Sequence, residues 1–523
     1  MRGPKPKGRV NFLNKAEREL LKRLGLAPDV LDAVREQLDQ AVLQPANAGA
    51  ALQPLPLCNN HLRPDEPRDS QAQNDTDAVH ASVHSGESVR QKPPPSPAEI
   101  RKSRIIAMGM DMSQISSVVR TETVSPLDIF RRRRQLAEES GLFSVLFGED
   151  TAKRANFGNA VSTCLGVPFG VSESIYVRGC KSPAAEAAPP ADADTVRNLL
   201  DDGAMPLGYI RSLPYNLEPD NAAYAVACGA VPFSLGVGSS LIESAACGVT
   251  SLRTTYGLCS RFGVLCRAPS MEIVQLHASC VRDLTMALRP IFTGSRRDCT
   301  SFAQELPDWY GALSAVDIRT YTIGIADCAD TAGPAVSAAV NKAAELFELL
   351  GATVVRRAMP TSGCEAALAS IIAAAECKIE DTAGRRSGKT DFSDLPLDAR
   401  REILRHHLLL ENERLLTDAR RLRSSTIQGF ERALCDVNAV IAPAVTDAGT
   451  PTDIQFIPAL AGLCALSLPC GVTPEGKNIA LLIIGRMFSE STLLSLGNIY
   501  EQATKMTKEM VRRGRRCRLP DKA

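Results

Sequence analysis

The chain has 523 residues, of which 44% are hydrophobic and 23% are charged, and its 60 lysines and arginines nearly balance 59 acids. This composition is that of a globular protein, and it excludes a chain that is disordered throughout. The formal charge of +1 excludes a general attraction to nucleic acid or anionic lipid, so any such contact would need a local cluster. The length allows one large α/β domain with extensions, or two to three ordinary domains.

The 16 cysteines and six histidines are scattered along the chain. No C-x-x-C pair occurs, and the cysteines among apolar and small residues, such as Cys247 and Cys464, act as small hydrophobic groups. His406 and His407 are adjacent in a helical pattern, so they face different sides of a helix, which favours a solvated face over a metal site. The sequence therefore predicts a reducing compartment, no metal and no cofactor.

The amino-terminal region is basic and contains no long apolar stretch. Five basic residues precede the first acid, Glu17: Arg2, Lys5, Lys7, Arg9 and Lys15. A mitochondrial import signal has this pattern, and a basic, solvated terminus of a cytoplasmic protein is the alternative. No run of 18 apolar residues appears, so no membrane span is expected.

Changes in composition divide the chain into five segments. The second is rich in Pro, Ser, Asp and Gln and cannot bury enough apolar surface to offset the entropy of ordering. The fourth alternates short β-branched stretches with helical ones, as α/β folds do. In order, the predicted segments are a helical segment at 1–43, a disordered linker at 44–103, a helical lead-in at 104–154, the main domain at 155–510 and a basic tail at 511–523.

Two basic clusters contrast with the near-neutral total. A helix predicted at 126–145 carries Arg131–Arg134, which indicates a solvated face, with contact to RNA or an acidic partner as the alternative. The carboxyl-terminal cluster allows either a solvated helix end or a phosphate contact to RNA or tRNA in an assembly. It comprises Lys505, Lys508, Arg512, Arg513, Arg515, Arg516 and Arg518, with Glu509 as the single acid.

Within the main domain, strands and helices can be placed from periodicity. An amphipathic helix is predicted from Pro334 to Leu350, with Gly351 as its carboxyl-terminal stop. Buried strands are predicted at Ile323–Ile325, Thr353–Val355, Val437–Pro443 and Ala480–Ile484.

About nine motifs resemble one family in both order and spacing. They lie at Gly166–Val171, Asp194–Gly208, Ala225–Gly236, Ala245–Gly248, Thr255–Val264, Asp298–Ser301, Ala375–Gly388, Ala461–Gly471 and Leu482–Gly485. Together they resemble the amidase-signature family, and most closely the branch formed by the A subunits of glutamyl-tRNA(Gln) amidotransferase. The resemblance covers roughly residues 155–505. It implies an α/β fold with a central mixed β-sheet flanked by helices on both faces.

The resemblance also implies a catalytic triad, which this chain has lost in part. Family members hydrolyse amides with a nucleophilic serine, a bridging serine in a cis peptide, and a lysine base. The lysine position corresponds to Ser172, and the bridging serine falls in Asn216–Asn221, at Pro219. Ser239 or Ser240 takes the nucleophile position. A serine hydroxyl cannot replace the amine, because it does not act as a base near neutral pH without help.

These substitutions favour a catalytically inactive, amidase-like protein that serves as a structural or interaction subunit. The family implies partners that resemble the B and C subunits of the tRNA amidotransferase. The alternatives are an active amidase or glutaminase that uses Ser240, and an RNA-associated scaffold. Gln455 and Phe456 fall in the region that lines the family's substrate pocket, so a small amide could still bind there.

Overall fold

The computed structural model describes residues 15–28, 30, 31, 35, 110–211 except 160 and 186, 221–376 except 293, 303–308, 315, 362 and 364, 393, 397–410, 413–504 and 506. The predicted linker at 44–103, Pro219 and the predicted tail at 511–523 lie outside these residues. The same holds for Lys505 and Lys508.

The architecture is built on an 11-stranded sheet with the order β1-β3-β2-β4-β6-β5-β10-β11-β9-β7-β8. Strand β2 is parallel to β3 and β4, whereas β6 and β10 are antiparallel to both of their neighbours, so the sheet is mixed. The strands are β1 Phe143–Leu146, β2 Pro168–Ser172, β3 Met205–Ile210, β4 Phe233–Gly238, β5 Thr250–Arg253, β6 Ile273–Ala278, β7 Thr322–Ala326, β8 Thr353–Arg357, β9 Ala439–Pro443, β10 Ala465–Val472 and β11 Asn478–Ile484.

Helices cover the sheet and connect its strands. In chain order the described helices are α1 Lys15–Leu24, α2 Met112–Arg120, α3 Pro126–Ser140, α4 Glu149–Ala152, α5 Asp194–Asp201, α6 Ala222–Ala227, α7 Ile242–Cys247, α8 Val281–Ile291, α9 Trp309–Ser314, α10 Pro334–Leu349, α11 Glu365–Glu376, α12 Leu397–Leu410, α13 Glu413–Ala433, α14 Ile457–Ala461 and α15 Glu490–Thr504. Short 3₁₀ helices lie at Ile318–Thr320, Asp327–Thr331 and Asp453–Phe456. No helix in the described part of the chain is both long and apolar enough to cross a bilayer.

Both faces of the sheet are buried, and successive side chains along a strand alternate between them. In β11, Leu481 and Ile483 belong to the larger apolar core, with α8, α10 and α15. The intervening Leu482 and Ile484 belong to a second core on the opposite face. The expected mixed sheet with helices on both faces is confirmed.

The strand and helix predictions in the main domain agree with the structure to within two residues at each boundary. The helix predicted at 126–145 is too long, because it ends at Ser140, before Gly141 in the left-handed conformation (φ +66°). The next residues form β1, the outermost strand on one side of the sheet, which pairs antiparallel with β3. The segment predicted as a helical lead-in at 104–154 therefore contributes a strand to the sheet.

Three of the four arginines on α3, in the run Arg131–Arg134, contact other segments of the protein. Arg131 pairs with Asp128 and with Glu149 of α4. Arg133 is buried and donates to the carbonyls of Gly229 and Met110, and Arg134 donates to the Phe147 carbonyl. The prediction of a solvated face is wrong for Arg133, because its guanidinium satisfies backbone carbonyls in the core.

The amino-terminal helix α1 packs on α12. Leu20, Leu21 and Leu24 are buried. The Arg400 guanidinium of α12 donates to the carbonyls of Leu24 and Gly25, both at 3.0 Å. Carbonyls at a helix end lack intrahelical partners, so Arg400 caps α1.

Candidate functional site

The predicted site positions Ser172, Ser239 and Ser240 lie at one edge of the sheet, where the carboxyl ends of parallel strands meet. Ser172 is the last residue of β2 and lies opposite Ile210, the last residue of β3. Strand β4 is the other neighbour of β2, with Val171 opposite Leu235, and it ends at Gly238. The fold therefore brings the lysine position and the serine-bearing loop to the same edge, the usual place for a site in such sheets.

The Ser172 hydroxyl has only a local hydrogen-bond partner among the described residues. Its side chain is buried, and its Oγ accepts from the Ser174 backbone N–H at 3.4 Å. Glu173 follows and is also buried, and its carbonyl accepts from the Ser182 hydroxyl at 2.5 Å. This position therefore supplies a hydroxyl in a turn where the family pattern has an amine.

Three side chains form hydrogen bonds with the backbone of the segment Gly238–Leu241, which is here called the serine loop. Arg253 Nη1 donates to the Gly238 carbonyl at 3.0 Å, and Gln275 Nε2 donates to the Ser240 carbonyl at 2.9 Å. The Leu241 N–H donates to Gln455 Oε1 at 3.4 Å. Three buried polar side chains from β5, β6 and a 3₁₀ helix thus fix the path of the loop.

The two serine side chains of the loop are half-buried. Within the described part of the chain, neither the Ser239 nor the Ser240 hydroxyl forms a hydrogen bond. A nucleophilic serine is activated by a base within hydrogen-bond reach. The described residues thus leave both hydroxyls without the partner that activation requires.

The described lysines with placed side chains are all exposed or half-exposed: Lys22, Lys153, Lys181, Lys342 and Lys477. Lys153 Nζ lies 3.2 Å from the Asp150 carboxylate on α4. None of these five lysines hydrogen-bonds to the serine loop. A lysine base must be desolvated to lose its proton near neutral pH, and solvent reaches these amines instead.

Sequence reasoning missed Arg253, although it ends a short strand of buried residues. Its side chain is fully buried, and Nη2 donates to the Met271 carbonyl at 2.6 Å. Burial lowers the pKa of Arg253 to about 9, and the nearby Glu272 carboxylate opposes that shift. A charged residue at the end of such a strand is the signal that could have identified it, because a buried charge requires partners.

The structure brings Gln455 to the serine loop, and both Gln455 and Phe456 are buried. Phe456 packs in an apolar cluster with Ile242, the first residue of α7. Gln455 Nε2 is buried and has no hydrogen-bond partner among the described residues.

Arg423 of α13 connects the helical layer to the start of β6. It donates to the Leu460 carbonyl at 2.8 Å, to Ser270 Oγ at 2.7 Å and to the Ser270 carbonyl at 3.0 Å. Burial lowers the pKa of Arg423. Arg423 is therefore a structural residue, because its guanidinium binds the carbonyl of Leu460 and both the hydroxyl and the carbonyl of Ser270.

A serine–histidine pair lies deeper in the sheet. The Ser251 hydroxyl and His277 Nδ1 are 2.7 Å apart, and both residues are buried. Burial lowers the pKa of His277 to about 3, so the ring stays neutral. Burial denies this pair contact with a substrate, so it serves as a polar link between β5 and β6.

The motif segments that carry the family resemblance meet in three dimensions. Asp194 at the start of α5 is buried and accepts from the hydroxyls of Ser260 at 2.7 Å and Ser295 at 2.5 Å. Asp298 accepts from the Arg261 N–H at 2.7 Å. Segments distant in sequence are therefore joined by carboxylates that satisfy backbone and hydroxyl groups.

Metal and disulfide chemistry has no support in the described residues. They contain no group of three or more His, Cys, Asp and Glu side chains that could hold a metal ion. The 12 described cysteines are free thiols. His406 and His407 both lie on α12.

Comparison with known proteins agrees with the fold. The family model described as Amidase matches residues 222–494. The A subunit of glutamyl-tRNA(Gln) amidotransferase from Roseiflexus castenholzii is 30% identical over 414 residues, which cover 66% of this chain and 83% of that protein. The chain therefore belongs to the amidase family.

Two solved structures are similar to this chain in fold. The peptide amidase of Stenotrophomonas maltophilia matches with a TM-score of 0.64 and 19% identity, over 77% of this chain and 98% of that one. The A subunit of glutamyl-tRNA(Gln) amidotransferase from Thermotoga maritima matches with a TM-score of 0.56 and 20% identity, over 72% and 90% of the two chains. This chain is thus an amidase-signature protein that is similar to the A subunits of the amidotransferase.

Proposed function

We propose that the protein is a catalytically inactive member of the amidase family that acts as an interaction component of a larger assembly. The observation that carries this proposal is the placement of Ser172, a buried hydroxyl, where the family pattern has its lysine base. The serine loop lies at the same sheet edge, and none of the five lysines with placed side chains hydrogen-bonds to it.

The serine loop supports the proposal that the protein has lost catalysis but has kept the backbone structure of the site. Triad members act as a unit, so loss of the base alone reduces turnover by several orders of magnitude. Arg253, Gln275 and Gln455 nevertheless hold the loop backbone in one conformation. A preserved scaffold around an altered triad fits a protein used for binding.

The relatives support an assembly role. Their names describe them as the A subunits of glutamyl-tRNA(Gln) amidotransferase, so each is one component of a larger enzyme. We therefore propose that this chain also binds other proteins, with partners that resemble the B and C subunits of the amidotransferase as the first candidates.

The assembly role can be tested by purification of the full chain from its native source, under conditions that preserve complexes. The proposal predicts a stable stoichiometric partner that co-elutes in size-exclusion chromatography and is identified by mass spectrometry. Elution as an isolated chain across protein and salt concentrations would contradict it. A parallel purification with an unrelated tagged protein controls for nonspecific capture.

A further inference from the structure

Two exposed phenylalanines are held side by side by the motif segment Thr255–Gly257. The Phe302 N–H donates to the Gly257 carbonyl at 2.8 Å, and the Phe488 N–H donates to Thr255 Oγ1 at 2.7 Å. The ring centroids of Phe302 and Phe488 lie 5.4 Å apart, with the ring planes at 88° to each other. One short segment therefore fixes both rings at the surface.

Together with Met487, these rings form an apolar surface that is here called the phenylalanine patch. Phe302 is 46% exposed, Met487 44% and Phe488 38%. The described residues include seven large hydrophobic side chains that are exposed, and three of them belong to this patch. Exposed hydrophobic side chains that cluster mark a contact surface, whereas single ones need no explanation.

The backbone of Phe488 is a second, independent observation. It is left-handed, with φ +64°, a conformation that is strained for phenylalanine and that glycine or asparagine adopts more readily. The hydrogen bond that holds this backbone comes from the N–H, which any residue except proline could supply. The fold of the isolated chain therefore does not require a phenylalanine at this position, whereas burial against a partner gives the exposed ring a role.

The two loops that carry the patch are basic. Arg486 directly precedes Met487, and the loop at 294–302, which ends in Phe302, contains Arg296 and a second arginine that pairs with a buried aspartate. Arg296 and Arg486 are exposed and have no ion pair among the described residues. The single acid of these loops, Asp298, already accepts three hydrogen bonds within the chain. The free charges beside the patch therefore favour a partner that carries carboxylates.

The geometry of the rings favours a protein over RNA. Single-stranded RNA stacks its bases on open aromatic faces. Here Arg261 lies over the Tyr256 ring at 4.7 Å, and Arg297 lies over the Phe262 ring at 4.2 Å, so a guanidinium already occupies a face of each ring. The two patch rings meet edge to face instead of presenting parallel faces. Phenylalanine, methionine and arginine without lysine is the composition that protein–protein contacts favour.

We propose that the phenylalanine patch is the docking surface for the protein partner of the assembly, and that the partner inserts an apolar side chain surrounded by carboxylates. The apolar side chain covers the Phe302 and Phe488 rings, and the carboxylates pair with Arg296 and Arg486. This inference rests on the proposed function, because it names the surface through which the chain joins its assembly.

Hydroxyl-radical footprinting tests the surface in the full-length protein. We expect oxidation of Met487 and Phe488 to be at least about fivefold lower in the complex purified from the native source than in the recombinant chain alone, since the centre of an interface excludes water. Leu349, which is 84% exposed, is the control and should be oxidised equally in both.

The outcomes of the footprint separate this inference from the proposed function. Unchanged oxidation of the patch in a complex that holds a stoichiometric protein partner would overturn the docking surface alone. A native preparation without any partner would contradict the proposed function and the docking surface together. Protection that ribonuclease abolishes would assign the patch to RNA and would also overturn the inference.

A substitution at Phe488 separates binding from folding. Phe488→Asn removes the ring and relieves the backbone strain, so the Tm should stay within about 3 °C of the wild type. Affinity for the purified partner, measured by biolayer interferometry, should fall at least about tenfold. Leu349→Asn is the matched control and should leave the affinity unchanged. Wild-type affinity of Phe488→Asn would contradict the inference, and a larger fall in Tm would show that the ring serves the fold of the isolated chain.

Reversal of charge tests the chemistry of the partner without a change in the patch itself. The double variant Arg296→Glu/Arg486→Glu should bind the purified partner at least about tenfold more weakly at low salt, and the difference should shrink as salt rises. Arg432→Glu, at an exposed position on α13, is the control for a reversed surface charge and should bind like the wild type. Equal affinities of the double variant and the control would exclude a carboxylate-bearing partner at this surface.

Discussion

The Arg253 guanidinium lies 3.0 Å from the Gly238 carbonyl and connects the end of β5 to the start of the serine loop. Its second nitrogen holds the Met271 carbonyl at 2.6 Å, so one buried side chain joins three segments at the site edge. A cation is retained there although burial disfavours its charge, because two carbonyls in the protein interior need a donor.

Removal of this cation should destabilise the protein. Arg253→Met leaves both carbonyls without their donor, at a cost of about 1–3 kcal/mol for each unsatisfied group. We expect the free energy of unfolding, measured by urea titration, to fall by about 2–6 kcal/mol. Arg432→Met, at an exposed position on α13, is the control and should change it by less than about 0.5 kcal/mol. Equal effects of the two substitutions on the free energy of unfolding would show that Arg253 does not stabilise the segments that it bonds to.

The glycine of the Thr255–Gly257 motif should not tolerate a side chain. Gly257 has φ +85°, and a Cβ there would lie 2.4 Å from the Thr300 carbonyl oxygen and 2.8 Å from the Phe302 ring. Gly476 has φ +87° with no atom within 4 Å of its Cβ position, so Gly476→Ala measures backbone strain alone, about 1–2 kcal/mol. We expect Gly257→Ala to cost at least about 1–3 kcal/mol more, since overpacking adds to the strain. Similar Tm values for the two variants would contradict this.

Asp283 should make stability depend on pH. Burial, followed by the Asp111 charge, raises the pKa of Asp283 from 3.8 to about 7, and the hydrogen bond from the Met112 backbone and the Arg282 charge oppose this shift. Between these values the folded state keeps a proton that the unfolded state releases. Stability therefore falls as pH rises through the window, by up to about 1.4 kcal/mol per pH unit.

Asp283→Asn removes this titration. The difference in unfolding free energy between wild type and variant should change from about pH 4 to about pH 7 and then level off, with the variant relatively more stable above that window. Asp150→Asn, at a side chain that is 99% exposed, is the control for the same change of residue at the surface. A flat difference for Asp283→Asn would exclude the raised pKa.

Two neighbouring arginines on α3, Arg132 and Arg133, differ in burial and provide a matched pair of substitutions. Arg133→Ala should lower the free energy of unfolding by about 2–3 kcal/mol, because its partners include two carbonyls that would lose a charged donor. Arg132→Ala should cost less than about 0.5 kcal/mol, since that guanidinium bonds to Gln135 in an exposed setting. Chemical unfolding of both variants distinguishes a structural from a solvated role, and equal losses would contradict the assignment.

The sequence predicted the sheet architecture better than it predicted local contacts. Strands such as β7 and β11 follow from continuous apolar runs, and the family resemblance supplied their common sheet. Strand β1 was missed because a four-residue strand after a helix stop has almost no periodicity of its own. Its pairing depends on β3, which lies far along the chain, with Phe143 opposite Ile210.

The candidate site was predictable only in part. Ser172 and Ser240 could be placed by motif order, and Gln455 by its position near the family pocket. The roles of Arg253 and Gln275 depend on which carbonyls the fold brings within hydrogen-bond distance, and sequence spacing carries no such information. The same limit applies to Arg423, whose bond to Ser270 depends on how the fold places α13 against the segment before β6.

Ammonia release from glutamine and simple amides tests the central claim most directly. The full-length protein should be assayed alone and with any co-purified partner, beside a Ser239→Ala/Ser240→Ala double variant. Without an amine to accept the serine proton, both proteins should release ammonia at the rate of the buffer. Turnover by the wild type that the double variant lacks would mean that another group activates the serine loop, and would contradict the account.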